Sequence, residues 1–226
     1  APKVEQDPRL LLVVYDDQTL IAARKRSPLD RGLLAKALAN LDALGAKAIG
    51  IDILFDQPQD EDDALVAALR GMKTPTFVAY ANVEGNRDDI VYDQQLYLDA
   101  FQRRLAGSNA HPTSIRLDFA QGVTRVWPQI APNLPPVMAR SLLAAGGDAA
   151  AVDRFAGYRG AVRYRLPAST DRPVFTSLKI DLFADPAVAA AMAEQVRGRY
   201  VLIGGDIVDV DRVPTTFTSV DGEAVP

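Results

Sequence analysis

Cysteine is absent from the 226 residues, and histidine occurs once, at His111. No disulfide can form, no thiolate can act as nucleophile, and no cysteine-based metal site can be assembled. One imidazole cannot build a histidine-centred triad or a multi-histidine metal site. His111 stands before Pro112 in "GSNAHPTS", a polar stretch that reads as a loop. Long apolar runs are missing too: none reaches the roughly 18 residues a membrane helix needs. The first residues carry no signal-peptide pattern. Lys and Arg number 25 against 29 Asp and Glu, a net charge of −4. No basic stripe follows from that balance, so no nucleic-acid partner is expected. The chain starts with Ala1 in place of Met, which reads as a trimmed piece whose flanks, membrane helices included, lie outside it.

What is present is an ordinary globular mixture, 48% hydrophobic and 24% charged. The length suits a single domain over residues 1–226, with an insertion at about 83–135. "RLLLVVYDD" is a continuous apolar run ending in Asp16 and Asp17, the pattern of a strand covered on both faces. In "SPLDRGLLAKALANLDALG", Ser27 is placed to cap a helix, with Pro28 in its first turn and Asp30 completing a capping-box spacing. Leu34, Leu38 and Leu41 share one face of it, and Gly45 ends it. "AKAIGIDILF" follows as a second buried strand, giving a right-handed βαβ unit. "DEDDALVAALRGM" reads as a helix, "TFVAYAN" as a third strand, and "DQQLYLDAFQRRL" as a further helix. "SIRLDFAQGVTRVWPQI" alternates in twos around Gln121-Gly122, a hairpin signal. "PPVMARSLLAAGG" reads as a helix, "AVRYRLP" as a strand, and Asp185-Pro186 open a helix running to Val196. "RYVLIGG" is the last strand. The fold class is therefore α/β: a mostly parallel central sheet with helices on both faces and an inserted antiparallel hairpin.

Carboxylates follow three of these strands. Asp16 and Asp17 follow the first, Asp52 lies late in the second with Asp56 beyond it, and Asp206, Asp209 and Asp211 follow the last. In open α/β sheets ligands collect outside the carboxyl ends of the strands. If the strands are neighbours, the aspartates converge. Their mutual repulsion then calls for a cation or an arginine, and Arg31 and Arg212 are placed to supply one. The same residues also suit bracing, because aspartates after strands cap helices and make turns. Bracing, ligand or cation binding, and catalysis all stay open on this pattern. Asp52, flanked by Ile51 and Ile53, would be costly to bury unpaired, so an arginine or backbone amides are expected beside it.

The enzyme reading has a specific form. "VLIGGDIVD" superficially resembles the acidic Gly-Asp motif of haloacid-dehalogenase-type phosphatases, which hold magnesium with carboxylates. Those enzymes need two aspartates spaced two apart at the end of the first strand. Asp16 and Asp17 are adjacent, so one would face the wrong side. No phosphate-binding Gly-Lys-Ser/Thr loop and no Gly-x-Ser-x-Gly elbow is present. A magnesium-dependent phosphohydrolase is the alternative function, and a ligand-free dimerisation spacer is a third.

"VVYDD", "SPLDRGLLAKALANLDALGAKAIGIDILFDQP" and "DDALVAAL", closed by "VRGRYVLIGGDIVDVDRVPTTFT", resemble the second CHASE family. These are extracellular sensory domains associated with cyclases and histidine kinases. "MARSLLAAGG" and the Gly-centred hairpin fit in order. One departure is that Ser27-Pro28-Leu29-Asp30-Arg31 lacks the tryptophan the family often places before the helix arginine. The resemblance implies an extracytoplasmic input module, periplasmic or at the cell surface, in an inner-membrane protein. It implies one membrane helix before the domain and several after it, then a cytoplasmic adenylate or guanylate cyclase or a kinase. The expected partners are an unidentified small molecule or ion and a second copy of the chain. No cofactor is expected, with a divalent cation at the acidic strand ends left open. The family hands over no agreed ligand, so the candidate binding residues are the sequence's own: Asp16, Asp17, Arg31, Asp52, Asp56, Asp206, Asp209, Asp211 and Arg212.

Overall fold

The computed structural model describes residues 2–22, 29–85, 90–120, 124–128, 130 and 133–207. Its first half runs β1 (Lys3–Val4), β2 (Asp7–Asp16), α1 (Asp17–Ala22), α2 (Arg31–Ala43), β3 (Ala48–Ile51), α3 (Asp62–Gly71), β4 (Thr76–Tyr80), α4 (Tyr92–Arg104) and β5 (Ala110–Ser114). The second half runs β6 (Asp118–Ala120), β7 (Thr124–Val126), α5 (Met138–Ala145), α6 (Ala149–Ala156), β8 (Leu166–Pro167), β9 (Phe175–Lys179), a 3-10 turn (Ile180–Phe183), α7 (Pro186–Ala190), α8 (Ala193–Val196) and β10 (Tyr200–Asp206).

Six strands form one sheet in the order β5-β4-β3-β10-β2-β9, with every neighbouring pair parallel. β1 pairs with β8 in a small parallel sheet, and β6 with β7 in the antiparallel hairpin. The Gln121-Gly122 turn of that hairpin lies outside the described residues. The α/β architecture read from the sequence is thus the architecture found. Two of its features are non-local. The crossover from β2 through α2 to β3 skips one position, and β10, the last strand of the chain, fills it. Of the region expected to be an insertion, α4 and β5 belong to the main layers, whereas the β6-β7 hairpin stands off the main sheet.

One face of the sheet carries most of the core. Leu11, Val13 and Tyr15 of β2 alternate inward beside Ile49 and Ile51 of β3 and Val201 and Ile203 of β10. Helix α2 lays Leu34, Leu38 and Leu41 on them, α3 adds Leu65 and Leu69, α4 adds Phe101, and the 3-10 turn adds Ile180 and Phe183. Each such side chain contributes about 1.5–3 kcal/mol relative to exposure. The amphipathic period of α2 produces this face. Its cap is Asp30, whose carboxylate accepts from the Leu33 amide at 2.7 Å; Ser27 and Pro28 lie outside the described residues. Gly45, at φ 79°, takes the left-handed turn that ends the helix.

The opposite face is covered unevenly. Helix α5 rests on β3, β4 and β5 through Met138 and Leu142. On β2 the alternate residues Leu10, Leu12 and Val14 are half-buried and join none of the hydrophobic clusters. The two-sided cover that the apolar run of β2 implies is therefore present on one side only among the described residues.

Other departures from the sequence reading have simple causes. "AHPTS" is a strand, β5, at the edge of the sheet, where Pro112 is tolerated because one side of the strand needs no ladder partner. His111 there stands 6.2 Å from the Phe77 ring, not in a loop. The helix expected from Asp185 to Val196 is two short helices, with Met192 packed against the core at the break. Of "AVRYRLP", only Leu166 and Pro167 are strand.

Gly50 of β3 faces α5 with no room to spare: a methyl group there would lie 2.7 Å from the Met138 Sδ and 3.1 Å from a Leu202 methyl. Gly50→Ala should therefore destabilise the domain by about 1–3 kcal/mol through overpacking. Urea unfolding of the variant beside wild type measures this, and an unchanged midpoint would show that α5 sits loosely on the sheet.

Candidate functional site at the carboxyl-terminal rim

Parallel pairing fixes which aspartates meet. Asp206 is level with Asp16, and Ile203 with both Val13 and Ile51. The Asp52 amide then donates to the Ile203 carbonyl at 2.8 Å, which sets Asp52 beside Gly204. Residues level with each other across parallel strands project to the same face, and so do residues two apart on one strand. Asp16, Asp52 and Asp206 therefore share one face at the carboxyl ends of three adjacent strands. A Cβ placed on Gly204 would lie 3.8 Å from that of Asp52. Asp16 and Asp206 stand about 4.8 Å apart at the backbone, where like charges directly opposite repel.

The cation that answers this repulsion comes from β9. Lys179 is level with Val14, hence on the same face, and its Nζ lies 2.8 Å from the Asp16 carboxylate. It donates also to the Gln18 side chain at 2.8 Å. Asp16 accepts from the Thr19 amide at 3.0 Å, and the Thr19 hydroxyl lies 3.2 Å from Asp16 and 2.8 Å from Asp181. The hydrogen bond from Lys179 holds the Asp16 carboxyl below its usual range against the opposing effect of burial, with Thr19 assisting. Asp17 opens α1. Asp17, Asp52 and Asp206 are also in polar or electrostatic contact with neighbours. Asp52 is exposed, between buried Ile51 and Ile53, so the burial cost expected for it does not arise.

Arg31 does other work. It is fully buried, 0% exposed, and pairs with the Asp62 carboxylate. Its second terminal nitrogen donates to the Gln57 carbonyl at 2.7 Å, and its guanidinium stands 5.2 Å from the centre of the Phe55 ring. Asp62 also accepts from the Tyr97 hydroxyl and, at 3.2 Å, from the Gln59 amide. Desolvation lowers the Arg31 pKa, and the hydrogen bond and charge at Tyr97, then Asp56 and Glu61, oppose it. Asp56 accepts from the Gln94 amide nitrogen at 2.5 Å. Arg31 and Asp56 thus anchor the loop from Asp52 to Glu61 onto α2, α3 and α4, beside the three strand-end aspartates. Tyr80, at the end of β4, ties α4 down too: its hydroxyl donates to Asp99 at 2.7 Å, and burial with that carboxylate pushes its pKa up to about 12.

Asp209, Asp211 and Arg212 lie outside the described residues. Among the described residues, no group of three or more Asp, Glu or His side chains is placed to hold a metal ion. Lys179, Asp181, Asp62, Tyr97 and Gln94 are partners that sequence reasoning missed. Each stands far along the chain from the residue it meets, and no periodicity marks such a pairing. A cleft of about 500 Å³ opens at the other end of the strands, lined by Val4, Pro8, Arg9, Arg165, Val174 and Phe175. Glu5 and Asp7 also line it, and it is remote from Asp16, Asp52 and Asp206.

The low pKa of Asp16 gives a pH signature. A carboxylate whose folded pKa is depressed stabilises above its unfolded value, 3.8, and loses that stability as pH falls through the folded value. Lys179→Ala should therefore lower the melting temperature at neutral pH, and the gap to wild type should close as pH falls below 3.8. Thermal melts across pH 2–7 measure the gap; one that persists undiminished in acid would show that Lys179 acts through packing.

The family model described as the CHASE2 domain matches residues 2–225. No curated protein and no solved structure matches the chain.

Proposed function

Because the chain belongs to the CHASE2 domain family of sensory, non-catalytic domains of signalling receptors, we propose that it is the extracytoplasmic input domain of a bacterial transmembrane receptor and that the acidic rim reads the stimulus. In this reading the receptor is an inner-membrane protein, a cytoplasmic nucleotide cyclase or kinase is the output, and two copies of the domain work together. The observation that carries the rim is the register of three adjacent strands. It places Asp16, Asp52 and Asp206 on one face, with Lys179 of the edge strand countering Asp16.

Such a rim suits a small ligand bearing positive charge or several donors. The carboxylates repel one another until it binds, so binding relieves a strain built into the free state. A stimulus shifts a receptor only through its differential affinity for two arrangements. About 5.5 kcal/mol takes a population from 1:99 to 99:1. The loop anchored by Arg31 is the path by which the rim reaches the helical layer, because it connects β3 directly to α3 and touches α2 and α4.

Calorimetry and thermal melting with Mg²⁺, Ca²⁺ and a panel of small metabolites test the rim. A ligand at a hundred times its Kd should stabilise the domain by about 2.7 kcal/mol. Asp52→Ala and Asp206→Ala should abolish that stabilisation while leaving the domain folded. Variants that unfold instead, or a wild type that binds none of the probes, would assign the carboxylates to bracing.

A further inference from the structure

The amino-terminal end of the sheet carries the charge opposite to that of the rim. All six strands are parallel, so all of them begin at this one edge. Lys73 precedes β4, Lys47 precedes β3, Arg197 and Arg199 precede β10, and Arg172 precedes β9. Arg165 precedes β8 and lines the cleft with Arg9, at the same edge. Backbone bonds join the segments that bear these cations. The Lys47 amide donates to the Arg199 carbonyl at 2.8 Å, and the Gly198 amide to the Gly45 carbonyl at 2.9 Å. The Lys73 amide donates at 3.1 Å to the carboxylate of Asp42, near the end of α2. Arg199 is half-buried and the other five cations are exposed. None of the six is ion-paired with a described carboxylate, whereas Arg9 is held by Asp7. Asp42 and Asp148 at this edge accept from backbone amides, and Glu5, Asp171 and Glu194 stand among the six cations. β10, from Tyr200 to Asp206, separates this edge from the acidic rim by about 20 Å.

We propose that this basic edge docks on an anionic phospholipid surface and so turns the acidic rim away from it. The form of the row favours a surface over a small anion. Neighbouring strands lie about 4.8 Å apart, so the row from β4 to β9 spans about 19 Å, and no single phosphate reaches across it. A row of that width meets several lipid headgroups at once, and each cation near them adds to the attraction. Helix dipoles explain only part of the row. Helices α2 and α3 end at this edge, and their carbonyl ends favour the cations that follow, Lys47 and Lys73. Arg165 and Arg172 stand in strand connections away from any helix end. A nucleic acid would meet the same charge, but single strands are held by stacking on aromatic rings as well. Among the described tyrosines the exposed one is Tyr92, which opens α4 at the opposite edge. The docking rests on the receptor reading for the presence of a bilayer, and it adds an orientation: the rim faces the solution from which a stimulus arrives.

Vesicle flotation of the 226-residue chain tests the docking, with vesicles of equal parts phosphatidylglycerol and phosphatidylcholine set against phosphatidylcholine alone. Wild type should float with the anionic vesicles, stay behind with the neutral ones, and let go at about 0.5 M salt, where exposed charges are screened. Lys73→Glu combined with Arg197→Glu should weaken binding about tenfold or more. Lys36→Glu combined with Arg140→Glu changes the net charge equally at exposed positions of α2 and α5, and should leave binding within about twofold of wild type. Circular dichroism checks the fold, and Lys73→Gln with Arg197→Gln replaces the reversal if it unfolds, with a smaller loss expected. A wild type that ignores anionic vesicles, or equal losses in the two double variants, would overturn the docking. Tighter binding to a random DNA duplex than to vesicles would overturn it in favour of nucleic acid. Self-association that the edge variant abolishes would overturn it in favour of the acidic rim of a second copy. Calorimetry reads the rim separately: no flotation with rim binding intact strikes the docking alone, and flotation with no rim ligand strikes the rim alone.

Discussion

A guanidinium removed from water needs an anionic partner, and that requirement organises this domain. Arg31 stands at the first turn of α2 with no exposure at all. Its partners come from three other segments: Asp62 at the start of α3, the Gln57 carbonyl in the loop after β3, and, through Asp62, Tyr97 of α4. The Phe55 ring beside it supplies the electron-rich face that suits such a cation. A buried pair of this kind adds little net stability over an apolar substitute, but once present it tolerates no partial loss, because either partner left alone is a desolvated charge. Its effect is to fix the relative placement of four segments.

That fixed placement reaches the rim. The loop held by Arg31 leaves β3 at Asp52, so anchoring Phe55, Gln57 and Gln59 limits where Asp52 and Asp56 can go. The sheet supplies the other constraint. Parallel register places Asp16 and Asp206 opposite each other and Asp52 one step below, all on the face away from the main core. Lys179 neutralises one end of this row. Arg31, Asp30 and Asp62 tie helices and loop together, whereas Asp16, Asp52 and Asp206 share one edge at the carboxyl ends of the strands.

The parts legible in the sequence were those written in local pattern. Leucines spaced three and four apart gave α2, apolar runs gave β2, β3 and β10, and carboxylates after those runs gave the rim. Strand order was hidden, because nothing local tells that β10 inserts between β2 and β3. β9 was hidden because an edge strand such as "FTSLK" needs few apolar residues, and β5 because His111 and Pro112 carry loop chemistry. Arg31 is placed in the sequence to answer the strand-end aspartates, yet its partner is Asp62, in the first turn of α3. Asp52 looked buried because its neighbours are isoleucines, while the alternation of a strand end turns it outward. In each case the missing information was a contact between residues far apart in the chain.

Amide hydrogen exchange of Asp62→Asn, which keeps the side chain's shape and removes its charge, tests most directly whether the Arg31 pair holds the loop to the rim. Protection should fall in residues 52–61 and in the first turns of α3 and α4, with β2, β3 and β10 as protected as in wild type. Faster exchange spread evenly over the sheet, or no change in the loop, would contradict the claim that this buried charge positions the acidic edge.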